Sequence, residues 1–284
     1  MEIDLAFQYL KKRIISRGAN LAGYKDDFLK RRLEGRMRLK GLATYAEYAR
    51  FIEKNPSEFN DLLDALTINV SEFFRDTTVW NSLRQRILPG MIRERLLNGR
   101  KEIRVWSAGC ADGEETYTLA LVVLDALAYL TNSFKIEILG TDVDLPSLNR
   151  ASKGVYATPR LKLIPQPLLQ RYFTPTDKGG FQVVNAVRKF VTFRHHDLFT
   201  LPPASGFDII TCRNVVIYFS KQLQEQLYRN FHGALAPGGY LVLGKVESLI
   251  GDTMSLFTCT DIAERIYRKP IETGTPPLQT APAN

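Results

Sequence analysis

The spacing of apolar residues along this chain changes character at about residue 100. Before that point apolar positions recur at helical intervals. In "DDFLKRRLEGRMRLKGL", Leu29, Leu33 and Met37 fall at i, i+4 and i+8, which predicts one apolar stripe on a helix. Lys30, Arg31, Arg32, Arg36, Arg38 and Lys40 cover much of the remaining surface, and Gly41 stands where a C-cap is expected. Thr44 with Glu47 three residues later forms a capping-box signature, so "TYAEYARFIEKN" is expected to be a helix. "PSEFNDLLDALTIN" predicts another, with Pro56 and Ser57 near its start. No strand is expected before about residue 100.

From residue 101 strands and helices alternate. "EIRVWSA", "KIEILGTDVD", "FDIITCRN" and "YLVLGK" read as strands, and "AERIYRK" is strand-like. "EETYTLALVVLDALAYL", "LPSLNRASKGV" and "SKQLQEQLYRNFHGAL" read as helices, the last capped by Ser220. This βαβ rhythm implies a mainly parallel sheet with helices on both faces. Residues 172–196 break it, with β-rich runs around a Lys-Gly-Gly turn, and predict a small antiparallel insertion. The expected organisation is a helical N-terminal domain over 1–75, a linker helix over 76–100 and an α/β domain over 101–269 that carries the 172–196 insertion. The Pro- and Thr-rich tail, 270–284, is expected to be disordered.

Composition narrows the classes. The chain has 284 residues, 45% hydrophobic and 24% charged, as in ordinary globular proteins with a substantial core. No apolar run is long enough to span a bilayer, and the acidic start of "MEIDLAFQYLKKRIISRG" does not fit a signal peptide, so the expected location is the cytoplasm. Cys110, Cys212 and Cys259 have neither disulfide-framework nor zinc spacing, and His195–His196 is expected at a strand end, so no metal is expected. The net charge of +8 points to an acidic partner. Residues 1–50 contribute twelve Lys/Arg against six Asp/Glu.

The chemistry concentrates at the strand ends. "SAGCADGEE" follows a strand and opens a helix, the usual ligand position in an open α/β sheet. Its Gly109 and Gly113 fit neither a dinucleotide fingerprint nor a P-loop, and no Lys follows to bind phosphate. Instead Glu114 and Glu115 sit at the mouth of the turn. Asp142 ends the next strand, where a carboxylate can accept both ribose hydroxyls. Asp197 follows the excursion and can accept from an adenine amino group, while the Leu198 N–H donates to a ring nitrogen. Three acids on strand ends suit a phosphate-free, cationic nucleoside such as S-adenosylmethionine, with Glu115 pairing its amino group.

These stretches resemble the chemotaxis receptor glutamate methyltransferase family, CheR. The resemblance rests on "NVSEFFRD" (69–76), "VWSAGCADGEETYTLAL" (105–121), "GTDVD" (140–144), "ASKGVY" (151–156), "LLQRYF" (168–173), "CRNVVIYF" (212–219) and "LAPGGYLVLG" (235–244), in family order. It implies a class I S-adenosylmethionine-dependent methyltransferase, with a Rossmann-like sheet, an inserted antiparallel β-subdomain and an all-helical N-terminal domain. It also implies methylation of glutamates on the cytoplasmic helices of chemotaxis receptors; the protein is expected to be a monomer that neither binds nucleic acid nor inserts in the membrane.

Position by position, the resemblance assigns Asn69, Ser71, Arg75, Glu115, Asp142, Asp197, Leu198, Asn214 and Val215 to the cofactor. Ser71 stands where threonine is common, and Thr116 where proline is usual. Arg75 and Tyr218 are the expected catalytic residues: Arg75 to position the acceptor carboxylate or to fix the cofactor's methionine carboxylate, and Tyr218 to steer the other acceptor oxygen. Arg32, Arg36 and Arg38 match arginines that face the receptor. The short "TPTDKGG" turn points away from use of a receptor-tail tether by the β-subdomain. Two rivals share the fold: a nucleic-acid methyltransferase, suggested by the basic pI, and a non-catalytic cofactor-binding scaffold. "CRNVVIYF" stands where amino-group methylases of nucleic acids carry an Asn/Asp-Pro-Pro-aromatic motif, and an acceptor pocket has no use in a sensor.

Overall fold

The structure is a computed structural model of the chain and describes residues 2–19, 21, 23–66, 71–177 and 179–271. Asn69, Lys178 of the Lys-Gly-Gly turn, and most of the tail expected to be disordered lie outside the described residues.

Four helices come first: α1 (Glu2–Ser16), α2 (Asp26–Leu39), α3 (Tyr45–Lys54) and α4 (Pro56–Leu66). The α2 stripe of Leu29, Leu33 and Met37 is buried with Phe28 against Phe7, Leu10, Tyr48 and Leu62. Gly41, at φ +67°, ends α2 in a Schellman pair, donating to the Arg38 carbonyl at 3.1 Å while Leu42 donates to Met37 at 2.9 Å. The Thr44–Glu47 capping box opens α3.

One sequence expectation is corrected in this domain. Arg36, expected at the receptor-facing surface, is engaged within its own domain: it forks onto Glu58 of α4 at 2.9 and 2.7 Å and reaches Asp61 at 2.9 Å. Glu58 is 2% exposed and also receives Tyr48 Oη at 2.7 Å and Lys40 Nζ at 2.9 Å. Burial pushes its carboxyl up, but these donors outweigh burial and hold it down at about 2. Arg36 is therefore the clamp between α2 and α4.

The expected linker helix is also corrected. Helix α5 (Thr77–Ser82) runs through a π-helical turn, Leu83–Ile87, into α6 (Leu88–Leu97). Pro89 lacks the N–H that an α-helix would need there and crowds the preceding turn, which widens to a Leu88-to-Leu83 bond. Val79, Trp80, Leu83, Ile87, Leu88, Met91 and Ile92 pack into the α/β core, so this segment is part of that domain.

The α/β domain begins with β1 (Glu102–Ala108), α7 (Glu114–Leu127), β2 (Lys135–Asp142), α8 (Leu145–Lys153) and β3 (Val155–Tyr156). Next come α9 (Gln166–Tyr172), β4 (Phe173–Pro175), β5 (Phe181–Val183), α10 (Asn185–Arg188) and β6 (Val191–His195). It ends with β7 (Phe207–Cys212), α11 (Lys221–Ala234), β8 (Leu235–Leu243), β9 (Thr258–Asp261) and β10 (Ile266–Arg268). The main sheet has seven strands in the order β6-β2-β1-β7-β8-β10-β9, with β10 antiparallel to both of its neighbours. Period-2 alternation splits its side chains between two cores. Ile103, Val105, Ile209 and Val242 enter one, and Trp106, Ala108, Ile210 and Leu241 the other.

The insertion is smaller than 172–196 and draws on a strand outside it. Its three-stranded sheet is β3-β5-β4, whereas β6 pairs in parallel with β2 at the edge of the main sheet. The β-rich sequence of 191–195 fits either sheet; its pairing partner decides, and that is not a local property.

Candidate active site

The chain builds β1, β2 and β6 outward in one direction, then returns to place β7 on the other side of β1. The crevice beyond these strand ends is the topological switch point, where open α/β sheets bind ligands. Four adjacent ends present Asp197 after β6, Asp142 on β2, the 109–115 turn after β1 and Arg213–Val215 after β7. At the usual strand spacing the row spans about 14 Å.

Backbone bonds fix these ends to one another. Gly109 and Cys110 N–H donate to the Thr141 carbonyl at 2.8 and 2.9 Å. The Asp142 carboxylate accepts from Ala111 N–H at 2.8 Å and Asp144 N–H at 2.9 Å, and its carbonyl accepts from His196 N–H at 3.0 Å. Burial pushes the Asp142 carboxyl above its ordinary range. Asp197 accepts from Phe199 N–H at 2.9 Å, which turns the chain after β6.

A cavity of about 260 Å³ opens beside this row. Ser71, Arg75, Glu115, Asn214, Val215 and Tyr218 line it, together with Glu72, Gly109, Ala111 and Arg213. Six residues that the sequence singled out are thus gathered here. Asp142, Asp197 and Leu198 lie along the neighbouring strand ends outside that lining, and Arg32 and Arg38 are on α2.

Arg75 is held by its backbone. Phe74 and Asp76 on either side adopt φ of +52° and +55°, a conformation that costs non-glycine residues energy. The Arg75 carbonyl accepts from Trp80 Nε1 at 2.8 Å and from Arg213 Nη2 at 3.0 Å.

Arg213 escaped the sequence reading; its signal was a basic residue at the end of a strand, inside "CRN". Its buried guanidinium lies 4.9 Å from the Trp80 ring and pairs with Asp76 at 2.8 Å and Glu115 at 3.3 Å. Glu115 also accepts from Thr211 Oγ1 at 2.5 Å and Ser107 Oγ at 3.2 Å. Glu115, expected to pair a ligand's amino group, is half of an ion pair with Arg213, and both residues line the cavity.

The adjacent glutamates diverge. Glu115 faces the cavity, whereas Glu114 is fully buried, in an ion pair with Arg160 that lacks hydrogen-bond geometry. Burial pushes the Glu114 carboxyl up to about 7, against the pull of Arg160. Arg160 also holds Asp112 at 2.8 Å, and Tyr156 of β3 donates to the Asp112 carbonyl at 2.8 Å, which fastens the small sheet to the turn after β1.

Glu247 was also missed, because its partners are backbone groups. It is 3% exposed, and its two oxygens accept four N–H bonds. Val215 and Val216 donate to one at 2.9 and 3.0 Å, Asn214 and Gly244 to the other at 2.9 and 2.6 Å. Burial raises its pKa while those N–H groups lower it. The carboxylate holds Asn214 at φ +60° and so fixes the Asn214–Val215 wall of the cavity.

The donor set fits a phosphate-free nucleoside with a charged amino-acid end. Among the described residues no lysine lines the cavity, and Arg213 is matched by two carboxylates. Glu115, at the cavity wall, presents a carboxylate to an ammonium group. No group of His, Cys, Asp and Glu able to hold a metal ion occurs among the described residues.

Comparison with known proteins agrees in both domains. Residues 69–266 match the CheR methyltransferase SAM-binding domain, and residues 1–67 match the CheR methyltransferase all-alpha domain. The chain belongs to the CheR methyltransferase family. It is 33% identical over 239 residues to a chemotaxis protein methyltransferase of Borreliella burgdorferi, covering 83% of this chain and 84% of that protein. It is 34% identical over 251 residues to one of Listeria monocytogenes, covering 87% and 92%. To chemotaxis protein methyltransferase 1 of Pseudomonas aeruginosa it is 33% identical over 237 residues, covering 82% and 85%. This CheR protein is thus an S-adenosylmethionine-dependent methyltransferase that acts in chemotaxis, built on a mainly parallel seven-stranded sheet.

Proposed function

We propose that this CheR protein methylates the side-chain carboxylates of specific glutamates on the cytoplasmic helices of chemotaxis receptors, giving glutamate methyl ester and S-adenosylhomocysteine. The observation that carries the proposal is the pairing of Arg75 and Tyr218 in one cavity with the Asn214–Val215 wall and the Glu115–Arg213 ion pair.

S-adenosylmethionine supplies an electrophilic methyl group on a sulfonium. Asp142 holds its ribose hydroxyls, and Asp197 with the Leu198 N–H holds its adenine. Glu115, oriented by Arg213, holds its amino-acid end together with Ser71. Asn214 and Val215 flank the methyl. An acceptor glutamate of ordinary pKa, about 4.3, is already ionised near neutrality, so the reaction needs no general base. What the protein contributes is alignment. Arg75 draws the acceptor carboxylate in through a fork of donors, and the Tyr218 hydroxyl binds its second oxygen, which leaves one lone pair to attack.

Arg32 and Arg38 on α2 attract acidic receptor helices and raise the association rate. We place the reaction in the cytoplasm and the enzyme as a monomer; no helix among the described residues is long and apolar enough to cross a membrane.

The test incubates the protein with methyl-labelled S-adenosylmethionine and either a receptor cytoplasmic fragment or total RNA. Label on the receptor, released as methanol by mild base, supports the proposal, and Arg75→Ala should abolish it without loss of fold. Label on RNA, or base-stable label on protein, overturns it.

A further inference from the structure

Tyr218 sits in a short 3-10 turn, Val216–Tyr218, between β7 and α11. The Glu247 carboxylate holds the N–H groups of 214–216 from the methyltransferase side. Residues 217–220 are held from the other domain. Lys25 N–H donates to the Tyr218 carbonyl at 2.9 Å, and Lys25 Nζ to the Ile217 carbonyl at 2.7 Å. Ser220 N–H donates to the Gly23 carbonyl at 2.8 Å. Tyr24 bridges Phe219 as in an antiparallel pair, with its ring edge-on to Phe219 at 5.1 Å and to Phe199 at 5.8 Å. The approach is close at residue 23: a Cβ there would stand 2.0 Å from Leu223 Cδ2, so a side chain would have to displace the end of Leu223.

The Tyr218 ring is supported from the same side. It lies 4.7 Å from the buried Phe28 ring at 39°, so Tyr218 packs against the N-terminal core as well as the methyltransferase core. Phe28 is on the first turn of α2, braced by the Tyr24 ring at 5.7 Å. One turn further along α2, the Arg32 guanidinium lies 5.6 Å from the Phe28 centroid. The docking helix and the acceptor pocket thus meet through two aromatic rings.

We infer that the N-terminal domain builds part of the active site: Phe28, with the Gly23–Lys25 turn, is a positioning device that fixes the rotamer of Tyr218. The inference rests on the role proposed above for Tyr218. A tyrosine side chain turns about two bonds, and the Phe28 face removes one sector of that freedom before the acceptor arrives. Phe28 touches neither donor nor acceptor in this reading; it acts through Tyr218. Its loss lowers turnover, while cofactor affinity, set at the strand ends, stays constant.

The experiment is a double-mutant cycle in the full-length protein, with Phe28→Leu, Tyr218→Phe and both together. S-adenosylhomocysteine affinity is measured by calorimetry, kcat and receptor KM by methylation, and folding by thermal unfolding. Phe28→Leu keeps apolar volume but loses the flat ring. It should lower kcat roughly 10- to 100-fold with Kd and receptor KM unchanged, and Phe28→Tyr should restore kcat. In the Tyr218→Phe background Phe28→Leu should have no further effect, because the group it positions is already gone. Effects that multiply, or a Phe28→Leu defect confined to receptor KM, overturn the inference while leaving Tyr218 in the mechanism. Wild-type turnover by Tyr218→Phe removes the Tyr218 assignment itself, and the inference with it.

Discussion

Replacing Glu247 by glutamine changes one oxygen for an NH2 group and almost nothing in shape. In the wild type each carboxylate oxygen accepts two backbone N–H groups: Val215 with Val216, and Asn214 with Gly244. A carboxamide keeps one such oxygen and turns its NH2 toward the other pair of donors. Two charge-assisted bonds are lost, each worth about 1.5 kcal/mol net at the low end. The expected destabilisation is about 3 kcal/mol, a large share of the ~5–15 kcal/mol that keeps a typical domain folded. The left-handed Asn214, at φ +60°, loses part of the support that offsets its strain of about 1 kcal/mol. Relaxation there moves the Asn214–Val215 wall, and a displacement near 1 Å in a reacting geometry costs about 100-fold in rate. Urea unfolding at neutral pH reads the first quantity, and single-turnover methylation of a receptor fragment, under conditions where the variant is folded, reads the second. A Glu247→Gln protein with wild-type stability and wild-type single-turnover rate would refute this reasoning.

Further outcomes follow from the other ionised clusters. Folded Glu114 keeps its proton up to about 7, whereas the unfolded chain releases it near 4.5, so folding takes up a proton in that window and stability falls as pH rises through it. Glu114→Gln should therefore stabilise the protein at pH 8 by about 3 kcal/mol and lose that advantage below pH 4; unfolding curves that stay parallel at every pH would contradict the burial argument. Arg36→Ala leaves Glu58 with Lys40 and Tyr48 alone and should cost about 3 kcal/mol. Glu58 has a depressed folded pKa of about 2, so that cost should be full above pH 5 and fade as pH falls toward 2, read by urea titration at several pH values. Charge reversal of Arg32 and Arg38 together should slow receptor methylation and flatten its salt dependence, with turnover at saturating receptor retained; a lost kcat would place them elsewhere in the mechanism.

Local patterns carried most of the fold into view. The Leu29–Leu33–Met37 stripe, the Thr44–Glu47 box and the Gly41 cap are interactions within a few residues of sequence, and each is present. The strand-end positions were equally legible, since Gly109, Glu115, Asp142 and Asn214 all follow apolar β runs. What escaped depended on distant partners. β6 reads like part of the insertion until β2 claims it. Arg36 reads as solvent-facing until α4 brings Glu58 beside it. The 76–100 helix reads as a connector because its burial partners, such as Ile103 and Val242, lie further along the chain. Glu247 has no side-chain partner to suggest by spacing; the groups it binds are peptide N–H atoms, which every sequence has.

The most direct test of the account is a crystal structure of the protein with S-adenosylhomocysteine. The account predicts the adenosine along the Asp142–Asp197 strand ends, the amino-acid end at Glu115, and the thioether sulfur facing the space between Arg75 and Tyr218. A thioether directed away from that space, or a cofactor bound outside the crevice, would contradict it.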